Sequence, residues 1–113
     1  RLAMQQCDPA QVITEHALAE ADELCSLTVD LFIDIYGSAA GNVALHYYPI
    51  GTLYIAGGIA AKISNRLTNG RFMDAFLNKG AMSAVLHEVS VKLVTEEKAG
   101  LLGALSTARR YAI

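Results

Sequence analysis

Two adjacent glycines, Gly57 and Gly58, are the residues whose type and position could serve ligand binding. They follow the apolar segment 53–56, and Ile59 stands where a helix is predicted to begin. Glycine lets the backbone turn sharply and approach a ligand closely, and the N–H groups at a helix start attract anions. The pattern is typical of a platform for a phosphate or a nucleotide such as ATP. The alternative is a tight turn without a ligand, because glycine punctuates turns in many folds.

Two pairs of charged residues are further candidates for chemistry, because the two members of each pair lie one helical turn apart. Asp30 and Asp34 could act in acid–base chemistry or bind magnesium, although a solvated helix stripe explains them more simply. Lys62 and Arg66 could face a nucleotide phosphate, but a solvated helix face again explains them more simply. We therefore predict no catalytic residue in this chain.

Patterns for metal binding and nucleophilic catalysis are missing from the sequence. His16, His46 and His87 form neither an i, i+4 pair nor a group with paired cysteines, so no metal site is predicted. The serines lie outside any Gly-x-Ser-x-Gly turn, and no glycine-rich loop ends in Gly-Lys-Ser or Gly-Lys-Thr. Cys7 and Cys25 are isolated, which predicts reduced packing residues and a cytoplasmic protein.

The composition indicates one folded domain. Its 113 residues are 53% hydrophobic, and the net charge is −2 with scattered basic residues, so we expect no nucleic-acid partner. The sequence shows no secretory signal, and its start at Arg1 suggests a fragment or a processed piece. Polar residues interrupt the apolar region 27–61, so we predict a buried helix and a buried strand rather than a membrane span.

Hydrophobic periodicity predicts a helix-rich α/β fold. The predicted helices cover residues 9–18, 23–48, 59–67, 71–77, 82–87 and 99–111, and the predicted strands cover residues 52–56 and 91–95. The crossover through helices makes the strands parallel. Because parallel sheets are usually wider than two strands, we expect an open sheet edge that pairs with an upstream segment or with another copy, which favours a homodimer.

The long second helix is apolar nearly all round, so we expect it to be buried. Gly37 and Gly41 share one face of this helix, one turn apart. A glycine inside a helix costs about 1 kcal/mol relative to alanine, so something should offset that cost. Close packing of another element is the interpretation we favour, and a ligand is the alternative.

Several segments, in this order, resemble the C-terminal third of bacterial-type glucokinases of the actin/hexokinase/Hsp70 superfamily. The segments are Ile-Thr-Glu-His-Ala-Leu at 13–18, Gly-Ser-Ala-Ala-Gly-Asn-Val-Ala-Leu at 37–45, Tyr-Ile-Ala-Gly-Gly-Ile at 54–59, Gly-Arg-Phe at 70–72, Ala-Phe at 75–76, Lys-Gly at 79–80 and Ala-Gly-Leu-Leu-Gly-Ala at 99–104. The family often has glycine where Ala40 stands. The resemblance implies that residues 1–113 are a single partial domain, the C-terminal nucleotide-side portion of a ribonuclease-H-like (actin/hexokinase) lobe.

The resemblance also implies a function. Glucokinases transfer a phosphoryl group from ATP with Mg²⁺ to glucose, forming glucose 6-phosphate, and the double glycine belongs to their adenosine-binding motif. Gly57, Gly58 and Ile59 are therefore the expected cofactor-binding residues. The family's phosphate loop, catalytic aspartate and glucose-binding cluster have no match here, so we expect the isolated chain to be inactive. The sequence leaves open a non-catalytic interaction or dimerisation module, and it does not indicate the sugar specificity.

Overall fold

The structure is a computed structural model, which describes residues 5–6, 8–18 and 22–112. Cys7, with its predicted packing role, lies outside the described residues. The described helices are α1 (Pro9–Leu18), α2 (Glu23–His46), α3 (Gly58–Lys62), α4 (Ser64–Leu67), α5 (Arg71–Leu77), a 3-10 turn (Gly80–Met82), α6 (Ser83–Leu86) and α7 (Ala99–Tyr111). The described strands are β1 (Thr52–Ile55) and β2 (Ser90–Leu93).

Side-chain caps set where the first two helices begin. The Asp8 carboxylate accepts a hydrogen bond from the Ala10 N–H at 3.2 Å, and Pro9 begins α1 as predicted. The Asp22 carboxylate accepts from the Leu24 N–H at 2.8 Å and so caps α2. Helix α2 ends at His46, two residues before the predicted end, and a non-helical cap at Tyr47 follows it.

Helix α2 packs most extensively against α5, and the two predicted glycines are at the contact. A Cβ built on Gly37 would lie 2.5 Å from the carbonyl oxygen of Phe72, and one built on Gly41 would lie 2.5 Å from the carbonyl oxygen of Phe76. The predicted close packing is therefore confirmed. The core beside this contact includes Ile33 and Phe76, both 0% exposed.

The prediction that α2 is buried all round is wrong for the described part of the chain. Its residues Leu24, Leu27, Leu31 and Ile35 are between 57% and 72% exposed, whereas the opposite face is buried. The spacing of these four residues places them along one stripe of the helix. By length and composition α2 is also apolar enough to cross a membrane, but the core helix of a soluble protein passes the same test. The buried face of α2 packs against α1 and α5, and 33% of its most apolar 18-residue window is buried.

Strands β1 and β2 are parallel, as predicted, and pair from Thr52 with Ser90 to Ile55 with Leu93. Beyond the paired residues, the Val94 N–H donates to the Ile55 carbonyl at 2.8 Å. The described part of the chain forms a sheet of these two strands, with helices in the connection between them. The α/β, helix-rich class with a parallel strand pair is thus confirmed, and the assignment to a ribonuclease-H-like lobe stays a prediction.

Helix α7 has the predicted bounds but little packing. None of its residues is buried by the described part of the chain, and Leu101, Leu102 and Leu105 are exposed. The core lies elsewhere: it is formed by α1, α2, α5, α6, the inner residues of the sheet and the segment 58–67, which contains α3 and α4 and is called the α3–α4 segment.

Candidate functional site

The turn between β1 and α3 contains the two predicted glycines. Gly57 has φ 119° and ψ 164°, a conformation that is essentially restricted to glycine. Its carbonyl accepts a hydrogen bond from the Ala61 N–H at 3.1 Å, which closes the first turn of α3. The backbone conformation therefore explains why residue 57 is a glycine.

Gly58 has a different environment, because no such conformation requires a glycine there. A Cβ built on Gly58 would have no described atom within 4 Å, and both Gly58 and Ile59 are exposed. Packing within the described residues does not explain this glycine. The open space leaves the backbone accessible to an approaching molecule, and the first amides of α3 have no side-chain cap.

The α3–α4 segment that follows the turn is fixed by apolar residues on one face. Ala60, Ile63 and Leu67 are 2%, 1% and 7% exposed, respectively, and belong to the core. Lys62 lies on the exposed side. The turn is thus attached to a short helical segment whose inner face packs into the core.

Arg66 does not lie on a solvated face, so that interpretation from the sequence is wrong, and its guanidinium is directed to acceptors within the protein. Its guanidinium donates to the Ala17 carbonyl at 3.2 Å, to the Ser26 carbonyl at 3.4 Å and to the Ser26 Oγ at 2.9 Å. It also forms an ion pair with Asp30 at 2.6 Å, and its side chain is 17% exposed. Arg66 therefore connects α4 to the end of α1 and the start of α2.

The carboxylates of Asp30 and Asp34 are both engaged by arginines. The Nε and Nη2 atoms of Arg71 donate to the two carboxylate oxygens of Asp34, at 2.7 Å and 2.6 Å. This bidentate hydrogen bonding lowers the pKa of Asp34 and raises that of Arg71. The aspartates are therefore neither a simple solvated stripe nor a free acid–base pair. Within the part of the chain that the structure describes, no group of three or more His, Cys, Asp or Glu side chains could hold a metal.

A cleft of about 980 Å³ lies between α2, α5 and the 3-10 turn with α6, and sequence reasoning missed it. Its lining includes Asp34, Ser38, Arg71 and His87 but neither Gly57 nor Gly58. The Lys79 ammonium donates to the Ser38 hydroxyl beside it at 3.1 Å. These residues are distant in sequence, so no local motif marks the cleft.

The family model for glucokinase matches residues 2–111. The chain belongs to the glucokinase family. A glucokinase from Trichormus variabilis is 42% identical over 108 residues, which are 96% of this chain and 32% of that protein. A glucokinase from a Synechocystis strain is 42% identical over 97 residues, which are 86% of this chain and 27% of that protein.

A solved structure gives the same result for the fold. The crystal structure of a glucokinase from an Antarctic psychrotroph matches with a TM-score of 0.76 and 39% identity, and the match covers 89% of this chain and 31% of that one. The predicted resemblance to the glucokinase family is confirmed. The chain spans about a third of the length of the curated relatives it matches.

Proposed function

We propose that this chain is the nucleotide-side part of an ATP-dependent glucokinase, which phosphorylates glucose to glucose 6-phosphate. The observation that carries the proposal is the match of nearly the whole chain to the glucokinase family. Relatives named glucokinase over comparable stretches support it. In this proposal the chain is cytoplasmic and has no nucleic-acid or membrane partner.

The turn at Gly57, Gly58 and Ile59 is the proposed contact with the nucleotide. Gly57 provides the positive-φ conformation of the bend before α3, and the space beside Gly58 leaves room for a ligand to approach the backbone. ATP, when bound, supplies the phosphoryl group. The role of the turn is to bind and orient the adenosine end, because its backbone amides offer donors but no acid–base group.

The described residues do not fit the Mg²⁺ that the proposed reaction requires. They form no metal-binding cluster, and both aspartates of α2 are paired with arginines. We therefore assign no magnesium ligand to this chain. Because phosphoryl transfer requires donor, metal and acceptor to be held in line, the isolated chain should bind nucleotide without turnover.

Two measurements on the chain test the proposal. In an amide NMR titration with Mg²⁺ and a non-hydrolysable ATP analogue, we expect saturable shifts at Gly57, Gly58 and Ile59. A coupled assay of glucose phosphorylation should give no turnover. Localised shifts elsewhere, or none in a well-dispersed spectrum, would contradict the assignment of the turn. Turnover proportional to the protein concentration would contradict the proposed inactivity of the isolated chain.

A non-catalytic dimerisation module is the second candidate, and the exposed stripe of α2 favours it. Leu24, Leu27, Leu31 and Ile35 present apolar surface without a described partner. Two outcomes together would favour the module: self-association of the chain through this stripe, and no response of the turn to nucleotide. Homodimerisation alone fits both candidates, because a glucokinase part could also self-associate.

A further inference from the structure

We propose that Arg66 is a positioning residue for the nucleotide-binding turn: it holds the α3–α4 segment in the orientation in which Gly57 and Gly58 meet the nucleotide. This inference rests on the proposed function, because the turn is taken as the nucleotide contact. Arg66 itself does not touch the proposed ligand. It acts through the short helical segment that connects it to the turn.

The connection from the turn to Arg66 is a continuous series of backbone hydrogen bonds. The Ala61 N–H donates to the Gly57 carbonyl and the Ile63 N–H to the Ile59 carbonyl, both at 3.1 Å. The Arg66 N–H then donates to the Ile63 carbonyl at 2.9 Å. Residues 57–66 are therefore linked turn by turn, so a rotation of the segment at Arg66 would also move the glycines.

The contacts of the Arg66 side chain fix the orientation of this segment. Its guanidinium donates to four acceptors on three residues: the carbonyl of Ala17, the carbonyl and hydroxyl of Ser26, and the carboxylate of Asp30. These acceptors come from two helices, and a planar guanidinium satisfies them in one orientation only. Only arginine can form this set of hydrogen bonds, since a lysine ammonium lacks the planar arrangement of donors.

Apolar packing alone would not fix the segment as tightly. Ala60, Ile63 and Leu67 bury one face of α3 and α4, but hydrophobic burial is non-directional. The helices are also short, with five and four residues, so they are marginal without tertiary contacts. Apolar contacts attach the segment to the core, and Arg66 sets its orientation.

The test compares Arg66→Gln with the matched control Arg71→Gln in this chain. Both substitutions remove an arginine that pairs with an aspartate of α2, but Arg71 lies on α5 and is linked to the turn only indirectly, through a 3.6 Å contact with the Asp30 carboxylate that Arg66 also binds. The first readout, without nucleotide, is amide hydrogen exchange at Ala61 and Ile63, with Tyr47 at the end of α2 as reference. We expect faster exchange at Ala61 and Ile63 in Arg66→Gln only.

The second readout is the Kd for Mg²⁺ with the non-hydrolysable ATP analogue. We expect about tenfold weaker binding in Arg66→Gln and less than about a twofold change in Arg71→Gln, because small misplacements of a contact reduce affinity strongly. Arg66→Lys should recover only part of the loss. If Arg66→Gln does not fold, Asp30→Asn provides a second test, because it removes the charge of the ionic partner and leaves the acceptors of Ala17 and Ser26; Arg71→Gln is then the control for the contact that Asp30 also makes with Arg71.

The two readouts separate the positioning role from the proposed function. Equal acceleration of exchange at Ala61, Ile63 and Tyr47 would mean that Arg66 contributes only global stability, and the positioning role would be overturned. Unchanged exchange and unchanged Kd in Arg66→Gln would overturn it as well. A wild-type chain that binds no nucleotide would overturn the nucleotide assignment of the turn, while the exchange readout would still decide whether Arg66 orders it.

Discussion

The backbone of α2 at Gly37 meets the backbone of α5 at Phe72 so closely that a Cβ on Gly37 would lie 2.5 Å from the Phe72 carbonyl oxygen. Real Cβ atoms essentially never approach an atom so closely, so one of the two helices would have to move. The Cβ of Ala75, also on α5, would be 2.9 Å away. Gly37 is therefore required by helix packing, not by the conformation of its own backbone.

Gly37→Ala should destabilise the chain by about 2 kcal/mol, because overpacking of a core contact outweighs the better helix propensity of alanine. The matched control is Gly103→Ala, in the middle of α7, where a Cβ would have no described atom within 4 Å. There the same substitution should stabilise the helix by up to about 1 kcal/mol. Urea unfolding followed by circular dichroism measures both, and equal effects at the two positions would contradict the packing argument.

The two glycines of the turn should respond differently to alanine. Gly57→Ala places a side chain at φ 119°, so we expect a loss of about 1–3 kcal/mol in the free energy of unfolding. Gly58→Ala meets open space and should change stability by less than about 1 kcal/mol, yet it should weaken nucleotide binding because its Cβ occupies the space left for the ligand. Unfolding and nucleotide titration of both variants separate these effects. Unimpaired nucleotide binding in Gly58→Ala would count against the turn as the contact.

Local signals in the sequence predicted most of the helices. Asp8 and Pro9 mark the start of α1, and α5 and α7 have the bounds that were predicted from periodicity. The strand pair was also predicted, although each strand is shorter or shifted by one or two residues. The positions of these helices and strands depend on neighbours along the chain, so a pattern of residue types is enough to predict them.

The partners of distant residues were not predictable in the same way. Arg66 and Asp30 are 36 positions apart, and their ion pair exists because α4 packs beside α2. Residue spacing gives the face of a helix but not which helix that face meets. The same limit applies to the exposed stripe of α2, since apolar residues all round a helix predict burial without saying which segment provides it.

The ion pair of Asp34 and Arg71 makes stability depend on pH in the acid range. The hydrogen bonds from Arg71 lower the pKa of Asp34 in the folded chain below its value in the unfolded chain. Stability from this pair is therefore fully present above the unfolded pKa of aspartate, and it is lost as the pH falls through the folded pKa. We expect Asp34→Asn to flatten the acid part of the stability curve. Urea unfolding at a series of pH values measures this effect, and an unchanged curve would contradict it.

The exposed stripe of α2, formed by Leu24, Leu27, Leu31 and Ile35, should mediate self-association of the chain. Its leucines lie on the face opposite the core, so Leu31→Lys adds a charge to the stripe without touching the packed side. We expect the wild-type chain to sediment as a dimer and Leu31→Lys as a monomer, because burying an unpaired charge at an interface is costly. Leu101→Lys, on the equally exposed α7, is the control and should leave the dimer intact. A wild-type chain that sediments only as a monomer would exclude the homodimer, and a dimer that tolerates Leu31→Lys would place the interface elsewhere.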